Sequence, residues 1–243
     1  MSTNKKVSII TVCYNSEKTI RKTIESVLAQ TYKNVEYIIV DGASKDGTVK
    51  IIQEYEAAFQ GRMRWISEPD EGIYFAMNKG IKMAEGELIG IINSDDYYEE
   101  KAVEYMVEAM TEARYQILYG ALRMIRDGME DCISIYSHHF LRMRSIAHPA
   151  CFVTRALYCE LGMYDTKYVS AADYDFMIRM SENDQVHFYP VYRLIANFTA
   201  GGMSSTHKAY LDLIRLQRDH GIISPGQYYK IMIKSNIAKF FGH

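Results

Sequence analysis

The stretch VSIITVCYNSEKTIRKTIESVLAQTYKNVEYIIVDGASKDGT, residues 7–48, determines the fold class. It contains two apolar, β-branched runs, VSIITV and VEYIIV, on either side of a segment with apolar residues at helical spacing. A strand, a helix and a second strand in this order form a βαβ unit, whose two strands are parallel. Continuous apolar strands also indicate a sheet that is covered on both faces.

The same alternation continues beyond this unit. Apolar periodicity predicts helices at 48–58 and 74–83, and strands at 63–67 and 87–92. Beyond about residue 114 the strand-like pieces become shorter. We therefore predict an α/β fold with a mostly parallel, Rossmann-like sheet flanked by helices.

No linker rich in Pro, Gly or Ser divides the chain, and no internal repeat occurs. We therefore predict one domain over residues 1–210, built from halves 1–114 and 115–210. Residues 211–243 form a tail that we expect to be helical, because its apolar residues recur at helical spacing.

Two adjacent carboxylates, Asp95 and Asp96, follow the apolar run at 87–92. Asp is common in turns and often precedes a helix, here one that could begin near Tyr98. Alternatively, Mg²⁺ and Mn²⁺ prefer carboxylate oxygens and leave coordination positions for substrate phosphates. The pair by itself favours the turn, so the surrounding residues must decide between the two hypotheses.

Polar residues follow each of the first four predicted strands. The carboxyl ends of parallel strands meet at one edge of a sheet, where open α/β proteins bind ligands. The residues that we expect at this edge are Thr11, Tyr14, Asp41, Asp46, Asp70, Asp95 and Asp96. Tyr14 could line a base pocket and Asp41 could accept hydrogen bonds from a base or ribose, although Asp41 before Gly42 fits a turn equally well.

Composition and motifs argue against several classes of function. A net charge of -2 gives no support for a nucleic-acid partner. The chain has neither a GxGxxG turn after its first strand nor a GxxxxGK[ST] segment, which disfavours dinucleotide-dependent dehydrogenases and P-loop kinases. Four cysteines without paired metal spacing, no secretory signal pattern and no apolar run of about 20 residues predict a cytoplasmic protein with reduced thiols, whose membrane contact would be peripheral.

Four segments together, residues 7–48, 67–81, 86–96 and 162–180, resemble an inverting family 2 glycosyltransferase with the GT-A fold. The resemblance covers roughly residues 5–205 and implies an acceptor-side extension and C-terminal helices. It implies metal-dependent transfer of a sugar, most commonly from a UDP-sugar, to an acceptor hydroxyl in polysaccharide, O-antigen or capsule biosynthesis. Residues 1–114 would bind the nucleotide sugar and 115–210 the acceptor. A non-catalytic nucleotide-sugar-binding module and a sugar nucleotidyltransferase are the alternatives.

The resemblance also assigns the acidic pair. Asp96 would be the principal ligand of Mn²⁺ or Mg²⁺, and Asp95 would face the metal or the ribose. A divalent cation explains two like charges beside a diphosphate, because it reverses the sign of the local charge. The positions that match nucleotide contacts are Thr11, Tyr14, Asn15, Asp41, Asp70, Asn78, Lys79 and Asp95.

An inverting transferase needs a base that removes the proton of the acceptor hydroxyl. Asp173 in SAADYDFMIRM matches the second member of a Glu-Asp pattern, although Ala172 stands where the family often has Glu. Asp175 is the alternative base, and Asp173 could instead cap the following helix. His148 and His207, the latter beside a Gly-Gly-x-Ser segment, are weaker acceptor-side candidates, since a structural histidine and a flexible glycine turn explain them equally well.

The tail carries a basic and apolar pattern. From His220 to the C-terminus there is no acid, and lysines at 230, 234 and 239 accompany apolar residues at 229, 233, 237 and 240 or 241. Such a helix could lie on the inner face of a membrane, or pack on the domain or on the second subunit of a homodimer. The expected partners are a nucleotide-sugar donor and a glycan or lipid-linked glycan acceptor.

Overall fold

The computed structural model describes residues 4–201 and 206–240, with side chains up to residue 235 in the last helix. The first half contains β1 (Val7–Cys13), α1 (Ile20–Leu28), β2 (Val35–Asp41), α2 (Thr48–Tyr55), β3 (Met63–Ser67), α3 (Ile73–Met83), β4 (Leu88–Ile91), β5 (Tyr97–Tyr98) and α4 (Ala102–Glu108). The second half contains β6 (Tyr115–Arg126), β7 (Met129–Ser134), β8 (Cys151–Thr154), α5 (Arg155–Leu161), α6 (Ala172–Ser181), β9 (Val186–Thr199), α7 (His207–Asp219) and α8 (Pro225–Phe240).

The strands form one sheet in the order β3-β2-β1-β4-β8-β6-β9-β5, and β7 pairs with β6 outside this path. The β1/β2, β1/β4, β2/β3 and β6/β9 pairs are parallel. The β4/β8, β5/β9, β6/β7 and β6/β8 pairs are antiparallel. The predicted α/β fold is confirmed, with a fully parallel arrangement in the first four strands and a mixed one beyond them.

Two hydrophobic clusters cover the two faces of the sheet. Alternate residues of β1 divide between them, since Ile10 and Val12 contribute to one cluster and Val7 and Ile9 to the other. The first cluster receives α3, α5 and α6, and the second receives α1, α2 and α4. Every residue of β1 and β2 is buried, as the continuous apolar runs predict.

A close contact between α3 and β1 places α3 over the sheet. An added Cβ at Gly80 would lie 2.5 Å from Ile10 Cγ2, so glycine allows the helix to approach this strand. The N-terminal end of α3 therefore lies near the carboxyl ends of the first strands, beside the loop that follows β3.

The predicted helix start near Tyr98 is wrong. Tyr97 and Tyr98 form β5, which pairs with Asn197 and Ala196 of β9, and the helix begins at Ala102. The pairing partner lies about a hundred residues away in sequence, so the local pattern around Tyr98 does not reveal it. The predicted start of the tail at residue 211 falls inside α7, which begins at His207.

In the described ranges, no helix has both the length and the apolar character that crossing a membrane requires.

Candidate active site

A cavity of about 1190 Å³ lies at the carboxyl ends of the first four strands. Its first wall consists of the loops after β1, β2, β3 and β4, through Tyr14–Thr19, Gly42, Asp46, Pro69, Asp70, Gly72 and Asn93–Asp95. A second wall belongs to the second half of the chain, through Leu122, Met124, Cys132, Ser134, Tyr136, Ser145–Pro149, Ser170, Asp173 and Phe198. Small-molecule sites in proteins commonly measure about 300–1,000 Å³, so this cavity has room for a donor and part of an acceptor.

The predicted site residues divide into two groups. Those that line the cavity are Tyr14, Asn15, Asp70, Asp95, His148 and Asp173. Those outside its lining are Thr11, Asp41, Asn78, Lys79, Asp96 and His207. The second group lies behind or beside the wall and makes contacts within the protein.

Asp96 is buried directly behind the cavity wall, with 1% of its surface exposed. Its Oδ1 accepts a hydrogen bond of 2.9 Å from the Thr199 backbone N–H, whereas its Oδ2 has no hydrogen-bond partner in the described part of the chain. The Thr199 hydroxyl also donates to the Asp95 carbonyl at 2.7 Å. The end of β9 therefore holds both acids in place.

Burial raises the pKa of Asp96 well above its ordinary range, and the charge of Asp95 raises it further. Burial also raises the pKa of Asp95. Hydrogen bonds from the Thr199 N–H and the Asn93 side chain lower the Asp96 pKa but do not cancel the effect of burial. A buried carboxylate beside the half-buried Asp95 favours a cation nearby. An orphaned Asp96 Oδ2 beside Asp95 fits a divalent metal, because such a metal would supply the missing partner.

No group of three or more His, Cys, Asp and Glu side chains that could hold a metal occurs within residues 4–201 and 206–240. Asp95 and Asp96 would therefore hold only part of a coordination sphere. Mg²⁺ and Mn²⁺ sites often consist of one or two carboxylates together with substrate phosphates and water. The donor set fits a cation that binds together with a diphosphate.

Thr11 and Asp41 support the first wall from behind. Asp41 is fully buried and accepts hydrogen bonds from the Ser44 N–H at 3.0 Å, the Ser67 hydroxyl at 2.6 Å and the Ser44 hydroxyl. Thr11 lies beside the hydroxyl of Tyr37, which donates to Thr11 Oγ1 at 2.9 Å. These contacts hold the ends of β1, β2 and β3 together.

Asn15 shapes the mouth of the cavity beside the exposed Tyr14 ring. Its backbone is left-handed, with φ 49°, and its side-chain Oδ1 accepts a hydrogen bond of 2.8 Å from the Lys45 N–H. Asn tolerates this conformation better than most residues. The loops after β1 and β2 are thereby joined, and Tyr14 packs against Gly42.

Asp70, Asn78 and Lys79 connect α3 to its surroundings. Lys79 Nζ lies 2.6 Å from Asp70 Oδ1 and 2.7 Å from Glu68 Oε1, so it holds the loop after β3. The Asn78 amide donates to the Tyr164 carbonyl at 2.9 Å and accepts from the Tyr164 N–H at 3.2 Å. Asn78 thus joins the first half of the chain to the second.

Asp173 lies in the first turn of α6, whose N-cap is Ala171. Its Oδ1 accepts a hydrogen bond of 2.7 Å from the Tyr74 hydroxyl. Burial raises the pKa of Tyr74 well above its ordinary range, and the Asp173 charge raises it further. Tyr74 therefore keeps its proton and acts as the donor to a half-buried carboxylate on the cavity wall.

Asp175 is directed away from the cavity. Its Oδ2 lies 2.7 Å from Arg179 Nε, and its Oδ1 lies 2.8 Å from His220 Nε2. These contacts join α6 to the end of α7. The geometry places Asp173, rather than Asp175, beside the space that a substrate would occupy.

The two candidate histidines lie in different places. His148 is buried in the short turn His148–Ala150 at the cavity wall, and burial lowers its pKa although the Asp173 charge opposes this effect. His207 begins α7, and its Nε2 lies 3.0 Å from the Ser235 hydroxyl of α8. Most of the neighbouring Gly-Gly-x-Ser segment, residues 202–205, lies outside the described residues.

Sequence reasoning missed Tyr74 and Thr199. Tyr74 lies in the segment EGIY, and its hydroxyl was indistinguishable from that of a core tyrosine at helical spacing. Thr199 contacts Asp96 across 103 positions, which no local pattern reveals. A polar residue at the end of a long apolar strand was the available signal.

Comparison with known proteins identifies relatives of this chain. Residues 8–158 match the family model described as Glycosyl transferase family 2. The "Uncharacterized glycosyltransferase Rv1514c" of Mycobacterium tuberculosis (strain ATCC 25618 / H37Rv) is 33% identical over 180 residues, which cover 71% of this chain and 68% of that protein.

Solved structures of two proteins, TarS and PcManGT, resemble the fold at low sequence identity. The crystal structure of S. aureus TarS 1-349 in complex with UDP has a TM-score of 0.68 and 19% identity, and the match covers 97% of this chain and 72% of that one. The same TarS segment in a second crystal structure is covered over 63% of its length. The mannosyltransferase PcManGT from Pyrobaculum calidifontis, in complex with GDP-Man and Mn²⁺, has a TM-score of 0.65 and 16% identity, with 96% of this chain and 69% of that one covered.

Proposed function

Because this chain belongs to glycosyl transferase family 2, we propose that it is a metal-dependent, inverting hexosyltransferase that uses a UDP-sugar. One observation carries the proposal: Asp95 and Asp173 line the same cavity, one from each half of the chain. At the first wall, Asp96 Oδ2 has no hydrogen-bond partner in the described part of the chain. At the second wall, the Asp173 carboxylate accepts a hydrogen bond from the Tyr74 hydroxyl. Donor diphosphate and acceptor hydroxyl would meet between them.

Asp96 and Asp95 would hold the divalent cation, Mn²⁺ or Mg²⁺. When bound, such a cation neutralises the diphosphate and stabilises the charge that develops on it as the glycosidic bond breaks. The complex of PcManGT with GDP-Man and Mn²⁺ supports a metal in this family of folds. Thr199 keeps the Asp96 carboxylate oriented through Oδ1, which leaves Oδ2 for a ligand.

Asp173 would act as the general base. It removes the proton of the acceptor hydroxyl while that oxygen bonds to the anomeric carbon. The bond from this carbon to the diphosphate oxygen breaks on the opposite face, so the configuration inverts and a nucleoside diphosphate leaves. The Tyr74 hydroxyl holds the Asp173 carboxylate in one orientation for this step.

The loops after β1 and β2 would hold the nucleotide. Tyr14 is exposed and lines the cavity, where its ring offers a surface for a base, and Asp70 lines the same wall. The TarS complexes with UDP and UDP-GlcNAc support a UDP-sugar donor. The remaining predicted contacts, Thr11, Asn15, Asp41, Asn78 and Lys79, would act through the loops that they hold.

The acceptor would be a glycan or lipid-linked glycan of a bacterial surface polysaccharide, assembled on the cytoplasmic side of a membrane. His148 lies on the cavity wall formed by the second half of the chain, where its neutral imidazole would contact an acceptor hydroxyl. His207, which contacts α8, would act at most through that helix. A homodimer and a peripheral membrane contact through α8 belong to the same proposal.

Calorimetry with UDP, in the presence and absence of Mn²⁺, tests the metal assignment through Asp96→Asn. We expect the wild-type chain to bind UDP more tightly with Mn²⁺ and the variant to lose this gain, because asparagine keeps the Thr199 contact and removes the charge. Asp184→Asn, which removes an exposed carboxylate in the loop before β9, is the matched control. Wild-type UDP affinity that is identical in Mn²⁺ and in excess chelator would refute the assignment.

A further inference from the structure

Exposed apolar side chains are concentrated in one short stretch of the chain. Among the residues that the structure describes, eleven large hydrophobic side chains are exposed, and five of them lie between residues 129 and 143. These five are Met129, Ile133, Tyr136, Phe140 and Met143. Phe140 is 56% exposed and Met143 is 77% exposed. Clustered exposed apolar groups mark contact surfaces, whereas isolated ones need no explanation.

We define residues 129–144 as the rim segment. It begins with β7, which pairs with β6 at the border of the sheet, and continues through the turn His138–Phe140. Cys132, Ser134 and Tyr136 of this segment line the cavity, and the chain rejoins the cavity wall directly afterwards at 145–149. Phe140 and Met143 therefore project from a turn whose two ends both belong to the cavity wall.

The rim segment also carries two arginines, one of which, Arg142, lies 3.6 Å from Glu182 Oε1. Residues 132–159 contain no Asp or Glu, and Arg142 and Arg144 lie in the turn beside Met143. The two acids at the start of the segment, Glu130 and Asp131, are each ion-paired with an arginine of β6. The Arg144 guanidinium lies 4.3 Å from the centre of a tyrosine ring of the same segment. It has no carboxylate partner within the described residues.

An apolar tip beside arginines matches the chemistry of an anionic membrane surface. Aromatic and methionine side chains enter the boundary between headgroups and acyl chains, while arginines attract anionic headgroups. We infer that the rim segment docks on an anionic lipid surface through Phe140, Met143 and Arg144. Docking there would place the cavity mouth next to an acceptor carried by the same membrane, a consequence that rests on the proposed function.

Vesicle sedimentation of the full chain tests this inference. The probes are vesicles of neutral phosphatidylcholine and vesicles of phosphatidylcholine mixed with anionic phosphatidylglycerol, each at low and high salt. The Phe140→Ser/Met143→Ser variant removes the apolar tip, and Tyr192→Ser/Tyr210→Ser removes two exposed rings outside the rim segment as a matched control. Arg144→Gln tests the electrostatic contact separately.

We expect the wild-type chain to bind anionic vesicles more strongly than neutral ones, and less strongly as salt rises. The Phe140/Met143 variant should lose about tenfold or more of its vesicle partition, while the matched control stays close to wild type. Arg144→Gln should weaken binding at low salt and leave binding at high salt unchanged. Thermal unfolding and UDP calorimetry of each variant should match wild type, because none of these side chains is assigned to the donor site.

Three results would overturn the inference. They are no wild-type binding to anionic vesicles at low salt, unaltered binding by the Phe140/Met143 variant, and an equal loss in the matched control. A concentration-dependent wild-type dimer that this variant abolishes, without vesicle binding, would make the rim segment a contact between copies of the chain. Vesicle binding requires no donor, so a failed metal or donor assignment leaves this test intact.

Discussion

Asp173 and Asp175 lie two residues apart on α6, and their surroundings give them different roles. Asp173 faces the cavity and accepts one hydrogen bond from Tyr74, so one of its oxygens remains available to a substrate. Asp175 is buried, and its two oxygens are occupied by Arg179 and His220. The family pattern predicts Asp173 as the base, and this assignment stays a prediction. The partners of Asp175 appear only in the folded chain.

Asp173→Asn should lower kcat by a factor of about 10²–10⁴, because the amide cannot accept the acceptor proton. Donor affinity should stay near the wild-type value, since Asp173 belongs to the wall formed by the second half of the chain, which does not contain the acidic pair. Steady-state transfer assays and donor calorimetry separate these two effects. Asp175→Asn is the control, with lower thermal stability and retained turnover as its expected result. The reverse outcome, with Asp173→Asn active and Asp175→Asn inactive, would exclude Asp173 as the base.

Tyr74→Phe should lower kcat by about tenfold and leave donor affinity near the wild-type value, because the Asp173 carboxylate loses the hydrogen bond that orients it. Steady-state transfer assays and donor calorimetry measure the two quantities. Tyr158→Phe is the matched control, because its hydroxyl lies 3.0 Å from that of Tyr164 in the same aromatic cluster and does not touch Asp173. Equal losses of kcat in both variants would indicate a packing effect.

At the scale of secondary-structure elements, β1, β2 and the approach to β4 meet around one buried carboxylate. Glu36 Oε1 accepts hydrogen bonds from the Ser8 hydroxyl at 2.5 Å, the Glu85 N–H at 2.7 Å and the Gly86 N–H at 3.1 Å. Its Oε2 lies 3.0 Å from Lys6 Nζ. Burial alone would raise the pKa of Glu36, but these hydrogen bonds and Lys6 together lower it.

Glu36→Gln should lower the free energy of unfolding by about 1–3 kcal/mol at neutral pH, since a buried charged acceptor is replaced. A carboxyl group whose pKa is lowered by folding stabilises the fold above its unfolded pKa and loses this contribution as the pH falls. The difference between wild type and variant should therefore shrink below about pH 4. Urea unfolding of wild type and variant at neutral pH and below about pH 4 measures this difference in the free energy of unfolding. Glu85→Gln, at the exposed side of the same cluster, should have a much smaller effect. A difference that grows at low pH would contradict the linkage.

The sequence predicted the first four strands and first three helices because their contacts are local βαβ contacts. It missed β5 because Tyr97 and Tyr98 form a strand only by pairing with β9. It also did not predict that Tyr74 and Asn78 of α3 form hydrogen bonds with residues of the second half of the chain. The acidic pair could be predicted from its position after β4. Its burial could not, because the end of β9 creates it.

At the scale of the whole molecule, α8 extends the chain beyond the cavity domain. It contacts α7, since the Arg218 guanidinium lies 4.4 Å from the centre of the Tyr228 ring. Tyr229 and Ile233 remain exposed, as do Lys230 and Lys234. Arg142 of the rim segment donates to the carbonyls of His220 and Gly221, so the turn before α8 lies beside the rim segment.

A chain that ends at Ser224 should keep its fold and its UDP affinity, because the buried α7 residues such as Leu216 remain. We expect weaker binding to anionic vesicles, since the exposed lysines and apolar residues of α8 are removed. The difference should diminish at high salt. Sedimentation and calorimetry of the two chains measure these effects. Equal vesicle binding by the intact and shortened chains would leave α8 as a packing element.

The contact between Asp96 and Thr199 has a consequence for the folding of the chain during its synthesis on the ribosome. It joins positions 103 residues apart, and the β5/β9 pairing has a similar separation. A nascent chain emerges from the ribosome with β1–β4 first, and these strands can pair while β9 is still being made. The acidic pair is therefore oriented only when β9 docks. A partly synthesised chain would carry the loops after β1 and β2 without an oriented acidic pair. Under the proposed function, sugar transfer would therefore begin only after folding is nearly complete.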